Sequence, residues 1–192
     1  MSKIAIFASG SGSNAENIIR FFRTHPRIQV KLILCNNPGA GVIKRAEKHG
    51  IDCIVFNRDQ YKKAGFLLNI LEEYDINFIV LAGFLWLIPS EMVTAFPGAI
   101  VNIHPALLPK YGGKGMYGVR VHEAVIAGAE KESGISIHYV NEKYDEGNII
   151  FQARCTVTKE DTAETLAQKI HQLEHAHFPQ VIEDLLIKDE KK

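Results

Sequence analysis

Short apolar runs alternate with amphipathic segments through the first half of the chain. Runs with the length and β-branched content of buried strands cover residues 3–8, 30–35, 53–56, 78–82 and 99–104. Helical periodicity covers residues 14–23, 42–49 and 60–73, and a short helix is predicted to start near residue 89. Strands that alternate with helices form parallel sheets, because each crossover helix returns the chain to the same edge. The pattern therefore predicts an α/β fold, a Rossmann-like three-layer sandwich.

The pattern changes after Pro105. Residues 111–118 form a glycine-rich stretch without periodicity, which predicts a mobile surface loop. Two further strands are predicted over 134–141 and 148–157, and the polar turn between them ends at Gly147. These strands are expected to form an antiparallel hairpin that extends the mostly parallel sheet.

The last helical segment has the features of a capped amphipathic helix. Asp161 is predicted as its N-cap, with Glu164 completing a capping box three residues later. Pro179 is expected to kink this helix. Residues 1–188 are predicted to form a single domain, and residues 189–192 a polar tail.

Composition and charge narrow the class of protein. The chain has 192 residues, in which 22 Lys and Arg balance 22 Asp and Glu, so no basic field marks a nucleic-acid or anionic-membrane partner. The apolar stretch near Met1 is too short for a signal sequence or a membrane span. We therefore expect a cytoplasmic protein that binds small molecules.

A glycine loop follows the first predicted strand, where residues 9–15 read SGSGSNA. Free N–H groups at the start of the next helix favour an anion, and a phosphate suits them well. The spacing of Gly10, Gly12 and Ala15 also fits a dinucleotide fingerprint, which needs an acidic residue about 20 positions later. Residues 36 and 37 are both Asn, so a monophosphate ester is favoured over a dinucleotide. Simple helix capping is compatible with either interpretation.

Asn102 and His104 lie two positions apart at the end of the fifth predicted strand. Their side chains therefore emerge on one face, and Pro105 places them at the carboxyl edge of the sheet, where open α/β folds bind ligands. An amide N–H and an imidazolium N–H can together hold a tetrahedral oxyanion. This arrangement indicates acyl transfer.

The run from Asn102 to Pro109, NIHPALLP, resembles the signature Asn-Ile-His-Pro-Ser-Leu-Leu-Pro of the folate-dependent formyltransferases, with Ala106 in place of Ser. Further matches to the glycinamide ribonucleotide transformylase branch of that family lie at residues 9–14, 81–84 and 144–152. The resemblance spans essentially the whole chain. It implies the formyltransferase fold and transfer of a formyl group from 10-formyltetrahydrofolate, as cosubstrate, to the amine of glycinamide ribonucleotide in purine biosynthesis. The implied chemistry requires no metal, and a monomer or a homodimer is expected.

Carried onto this sequence, the resemblance implies a role for each of several residues. Phosphate and sugar ligands would be Gly12, Ser13 and Asn14, and Glu174 would face the ribonucleotide. The catalytic group would be Asn102, His104 and Asp145, with the carboxylate raising the pKa of His104 so that the imidazole stays protonated. The folate would contact Leu85, Trp86, Leu87, Ile88 and Asn102. The family's arginine for the glutamate tail of the folate has no clear counterpart near residues 60–63.

The sequence contains two other patterns that could mark a site. Residues 171–175 read HQLEH, the pattern of inverted zinc proteases, but the sequence offers no convincing third ligand, so no metal is predicted. The three cysteines are expected to be small buried hydrophobic residues; they are Cys35, Cys53 and Cys155.

Two other functions are possible for this sequence. A formyl hydrolase or another formyl transferase on the same core is the alternative enzyme. A nucleotide-sensing module without catalysis is the alternative from another class.

Overall fold

A computed structural model describes residues 1–188 of the protein. The strands are β1 (Ser2–Ala8), β2 (Ile28–Cys35), β3 (Asp52–Val55), β4 (Phe78–Leu81), β5 (Ile100–His104), β6 (Glu132–Tyr139) and β7 (Ile149–Thr156). The helices are α1 (Ser13–Phe22), α2 (Gly41–His49), α3 (Arg58–Lys62), α4 (Phe66–Glu73), α5 (Ser90–Ala95), α6 (Val119–Ala127) and α7 (Ala163–Lys188).

The strands form one sheet in the order β3-β2-β1-β4-β5-β6-β7. Strands β1 to β5 pair in parallel, whereas β6 runs antiparallel to both β5 and β7. The chain leaves β1 toward β2 and β3, and then crosses back to β4 on the other side of β1. This reversal opens a crevice at the carboxyl ends of β1 and β4. The predicted α/β sandwich with an antiparallel hairpin is confirmed.

Helices cover both faces of the sheet because both faces of its central strands are apolar. Ile4 and Ile6 of β1 pack on the side of α1, α2, α6 and α7, whereas Ala5 and Phe7 pack on the side of α3, α4 and α5. Successive side chains of a strand alternate in this way, so one strand contributes to two cores. The result is a three-layer sandwich. Within residues 1–188 no helix is long and apolar enough to cross a membrane.

The structure differs from the predicted helices at three places. The single helix predicted over 60–73 is two helices, α3 and α4, separated at Gly65, whose φ of 74° is left-handed. Helix α6 was not predicted, because its apolar residues follow the glycine-rich stretch without a side-chain cap. Helix α7 begins at Ala163, one residue after Thr162, which exchanges hydrogen bonds with Thr165. The predicted cap at Asp161 is therefore wrong.

Helix α7 continues through Pro179 to Lys188. The predicted polar tail, residues 189–192, lies outside the described residues.

Candidate active site

A cleft of about 710 Å³ lies along the carboxyl ends of β1, β4 and β5. The glycine loop after β1 lines one part of it, Phe84 and Leu85 after β4 another, and Asn102 to Pro105 a third. The glycine-rich segment 113–118 and the start of α7 complete the walls. The reversal of strand order thus brings the predicted loop and the predicted acyl-transfer residues into one cleft.

The glycine loop is held against helix α2. Gly12 has a φ of 77°, and a Cβ there would lie 2.6 Å from Val42, so this position requires glycine. The backbone N–H of Val42 donates to the carbonyl of Gly10 at 3.2 Å, and Arg45 Nε donates to the carbonyl of Ser11 at 2.8 Å. These contacts pin the loop from behind and leave its other side to the cleft.

The first turn of α1 starts at Ser13, and its N-cap, Gly12, makes no side-chain capping bond. Its leading N–H groups therefore suit an anion. Asn14 Nδ2 donates to Glu174 Oε2 at 2.9 Å, and His171 Nδ1 contacts the same oxygen at 2.9 Å. The hydrogen bond to Glu174 raises the pKa of His171. Glu174 is thus a buried carboxylate whose protein partners both line the cleft.

Asn102, His104 and Asp145 meet at the end of β5. Asp145 Oδ2 lies 3.5 Å from His104 Nδ1, and Asp145 Oδ1 lies 3.5 Å from Asn102 Nδ2. The N–H of Gly113 donates to Asp145 Oδ2 at 2.8 Å, which fixes the carboxylate. His104 Nε2 donates to the carbonyl of Tyr111 at 2.7 Å, since a carbonyl oxygen only accepts. One strand, β5, and the turn between β6 and β7 therefore position this group.

The charge of Asp145 raises the pKa of His104 as expected, but burial of the ring outweighs it. His104 is 3% exposed, and burial lowers its pKa below 6.5 although the charge of Asp145 acts in the opposite direction. Desolvation penalises the imidazolium more than one carboxylate 3.5 Å away compensates. His104 is consequently neutral at pH about 7, with its proton on Nε2.

His138 belongs to the same cluster but was not predicted. It is 2% exposed, and in the register of β5 and β6 it lies opposite Asn102, while Ser136 lies opposite His104. The signal was present, since Ser136 and His138 alternate with isoleucines in the strand predicted over 134–141. What the sequence did not reveal was that this polar face adjoins Asn102.

The segment expected to clasp the folate divides into exposed and buried parts. Leu85 lines the cleft and is 43% exposed, whereas Ile88 is 3% exposed and lies in the core with Met92. Trp86 packs edge-on against Tyr61, and Leu87 offers its carbonyl to the Tyr61 hydroxyl at 2.6 Å. Leu85 thus gives the cleft an apolar edge, whereas the contacts of residues 86–88 anchor the backbone of the segment. We call residues 85–88 the lip of the cleft.

The side chain of Arg58 lies beside this segment. The guanidinium carbon of Arg58 lies 4.3 Å from the centre of the Trp86 ring, in a cation–π contact. Arg58 is the first residue of α3, which the prediction began two residues later, at Gln60. Arg58 therefore lies just before residues 60–63, where the resemblance places the basic residue.

The HQLEH motif does not form a metal site in the described part of the chain. Within residues 1–188 no group of three or more His, Cys, Asp or Glu could hold a metal ion. The carboxylate of Glu174 instead bonds Asn14 and His171. All three cysteines are free thiols; Cys35 is buried as expected, but Cys53 and Cys155 are only partly buried.

The fold and cleft together define a Rossmann-like α/β protein in which a glycine loop at an uncapped helix start and a group of Asn, His and Asp side chains line the same cleft. A family model described as Formyl transferase matches residues 2–182. The chain therefore belongs to the formyl transferase family.

The sequences of several relatives align with nearly the whole of this chain. A Bacillus subtilis (strain 168) protein named phosphoribosylglycinamide formyltransferase is 41% identical over 191 residues, covering 97% of this chain and 95% of that protein. The chloroplastic phosphoribosylglycinamide formyltransferase of Arabidopsis thaliana is 39% identical over 192 residues, covering 94% of this chain. The match spans only 64% of the Arabidopsis protein. The crystal structure of glycinamide ribonucleotide transformylase 1 from Geobacillus kaustophilus matches with a TM-score of 0.88 and 35% identity, covering 97% of this chain and 99% of that chain.

Proposed function

We propose that this chain transfers the formyl group of 10-formyltetrahydrofolate to the amine of 5-phosphoribosylglycinamide, giving formylglycinamide ribonucleotide for purine biosynthesis. One observation carries the proposal. In a chain of the formyl transferase family, the glycine loop after β1 and the group of Asn102, His104 and Asp145 line one cleft. Relatives that are 41% and 39% identical bear the name of this activity.

The ribonucleotide end of the cleft is assigned to the glycine loop and α7. The N–H groups at Gly12, Ser13 and Asn14 would take the phosphate, because the start of α1 has no side-chain cap. Glu174 would accept hydrogen bonds from the sugar or glycinamide, and its bonds to Asn14 and His171 hold it in place.

The folate is assigned to the lip at residues 85–88, on the β4 side of the same cleft. An apolar side chain at Leu85 and the backbone of Trp86, Leu87 and Ile88 suit a flat heterocycle that needs peptide hydrogen bonds. Arg58, held over Trp86, supplies a positive charge suited to the carboxylates of a glutamate tail.

In the proposed chemistry, the substrate amine attacks the formyl carbon, and the carbonyl electrons move onto oxygen. Neutral His104 accepts the proton that the amine loses, and Asp145 stabilises the resulting imidazolium. Asn102 donates to the oxyanion. As the carbonyl re-forms, the bond from carbon to N10 of the folate breaks and N10 takes a proton, so no proton is gained or lost overall. The formyl carbon is already activated, and none of these steps requires a metal.

A single assay tests this function. The protein is incubated with 10-formyltetrahydrofolate, with and without glycinamide ribonucleotide, and the appearance of tetrahydrofolate and formylated product is followed. Product that depends on the ribonucleotide supports the proposal. Equal release of formate in both samples would identify a hydrolase, and binding of either compound without turnover would identify a sensing module.

Four further assignments stay predictions. These are the cytoplasmic location, the monomeric or homodimeric state, the single domain over residues 1–188, and the absence of nucleic-acid and membrane partners. The Arabidopsis relative is named as chloroplastic, so location differs within the family.

A further inference from the structure

We propose that His138 is a positioning residue, which orients the amide of Asn102 so that its second N–H faces Asp145 and the oxyanion position of the proposed reaction. The inference rests on the proposed function for its catalytic consequence. His138 is not among the residues that line the cleft; it lies behind Asn102, on the neighbouring strand β6. It therefore acts through Asn102 rather than on the substrate.

Hydrogen bonding determines the tautomer of His138. Its Nδ1 lies 2.8 Å from the carbonyl oxygen of Tyr139, and this oxygen can only accept, so Nδ1 carries a proton. A ring with its one proton on Nδ1 has a lone pair on Nε2, which lies 3.0 Å from Asn102 Nδ2. A lone pair accepts an N–H, so this contact runs from the amide to the imidazole.

The same network determines which end of the Asn102 amide faces His138. If the amide were rotated by about 180°, its oxygen would meet the Nε2 lone pair and also the carboxylate of Asp145, and both contacts would be repulsive. In the orientation observed, one amide hydrogen is bonded to His138. The other amide hydrogen points toward Asp145 Oδ1, which lies 3.5 Å from Asn102 Nδ2. A hydrogen bond of this length is weak, so Asp145 does not fully use this hydrogen. That hydrogen remains able to bind an oxyanion in the cleft.

Gly147 allows the turn after β6 to pack closely against His138. A Cβ on Gly147 would overlap the carbonyl oxygen of Tyr139, the acceptor of the His138 Nδ1 proton, and would lie 3.5 Å from Nδ1 itself. Any larger residue would push this turn away, together with Asp145, which lies 3.6 Å from His138 Nε2. Gly147 thus allows Asp145, Asn102 and His138 to form one cluster.

The kinetic test uses His138→Phe, which keeps a ring of similar size but removes the acceptor. We expect kcat to fall by about 10²-fold, the effect typical of losing one oxyanion donor, with KM for both substrates nearly unchanged. His138→Gln restores an acceptor for Asn102 and should recover much of the activity. The double variant Asn102→Ala/His138→Phe should be no slower than Asn102→Ala alone, because His138 acts through Asn102. Losses that multiply in the double variant, or an unchanged kcat in His138→Phe, would overturn the proposal.

His25→Phe is the matched control. It removes another imidazole that accepts from the backbone N–H of Ile28 at 3.0 Å, outside the cleft, and should change the melting temperature without changing kcat. Long-range ¹⁵N–¹H NMR of the unmodified protein gives a test that needs no activity and no variant to fold. A proton on His138 Nδ1, an unprotonated Nε2, and an Asn102 amide signal that shifts in His138→Gln are expected. A proton on Nε2 would refute the positioning role even if transferase activity is present, whereas the expected spectrum without activity would refute only the proposed function.

Discussion

At the scale of single residues, the charge of His104 depends on a balance between burial and Asp145. Burial is the larger influence and lowers the pKa of His104, while the carboxylate 3.5 Å away opposes it. Burial raises the pKa of Asp145, but its neighbours, among them the backbone N–H of Gly113, together lower it below its ordinary value, so Asp145 stays ionised. A neutral imidazole beside a carboxylate is suited to taking a proton during the reaction, rather than to holding one beforehand.

Asp145→Asn should separate these influences. The amide keeps the shape but removes the charge, so the pKa of His104 should fall further, and kcat should drop by about two or more orders of magnitude. NMR titration of the His104 ring protons and steady-state kinetics measure the two effects. Asp75→Asn, which removes an exposed carboxylate paired with Lys3, is the control and should change neither. Identical titration of His104 in the wild type and in Asp145→Asn would show that the charge of Asp145 does not act on this ring.

At the scale of elements, helices α1 and α2 share a buried carboxylate that supports the glycine loop. Glu16 of α1 is 6% exposed and contacts Arg45 and Lys48 of α2, the latter at 3.1 Å. Arg45 also donates to the carbonyl of Ser11 in the loop. Arg45 is therefore the link between the helix pair and the expected phosphate site.

Arg45→Gln should loosen the loop and raise KM for the ribonucleotide about tenfold or more, the range expected for one charged hydrogen bond, with KM for the folate unchanged. Lys48→Gln is the matched control, because Lys48 contacts the same carboxylate without reaching the loop. Steady-state kinetics give KM for the ribonucleotide and for the folate in both variants. Equal effects of the two substitutions would assign Arg45 to general stabilisation of the helix pair.

At the scale of the whole molecule, buried histidines should make the protein less stable in mild acid. Burial lowers the pKa of both His104 and His122 below 6.5. The folded state therefore binds fewer protons than the unfolded chain, so stability is complete above pH about 6.5 and declines as the pH falls below that value. The loss should be on the order of 1 kcal/mol per histidine, measured as urea unfolding between pH about 7.5 and about 5.

Two variants check the sign of this effect. His122→Gln removes one of the buried rings and should flatten the decline. His171 has a raised pKa, so it stabilises the fold below pH about 6.5, and His171→Gln should steepen the decline. A protein whose stability rises toward pH 5 would contradict the assignment.

The order of the elements and the chemistry of the strand ends followed from the sequence, because both depend on local patterns. Buried apolar runs between helical segments were enough to predict a parallel sheet, and the alternation of Asn102, Ile103 and His104 placed two polar groups on one face. The SGSGSNA run indicated an anion loop through the conformational needs of glycine and the free N–H groups of a helix start. Asp145 and Glu174 were predicted as site residues only because the motifs that contain them resemble those of the family.

The tertiary structure decided what depends on neighbours far apart in the chain. His138 joined Asn102 only through the register of β5 and β6, and Arg58 reached Trp86 only through the packing of α3 against the segment after β4. The break at Gly65 and the start of α6 depended on left-handed and unusual backbone angles that no side-chain pattern signals. The charge of His104 was the clearest case, because desolvation is set by everything packed around a group, whereas the sequence showed only that a carboxylate was available to oppose it.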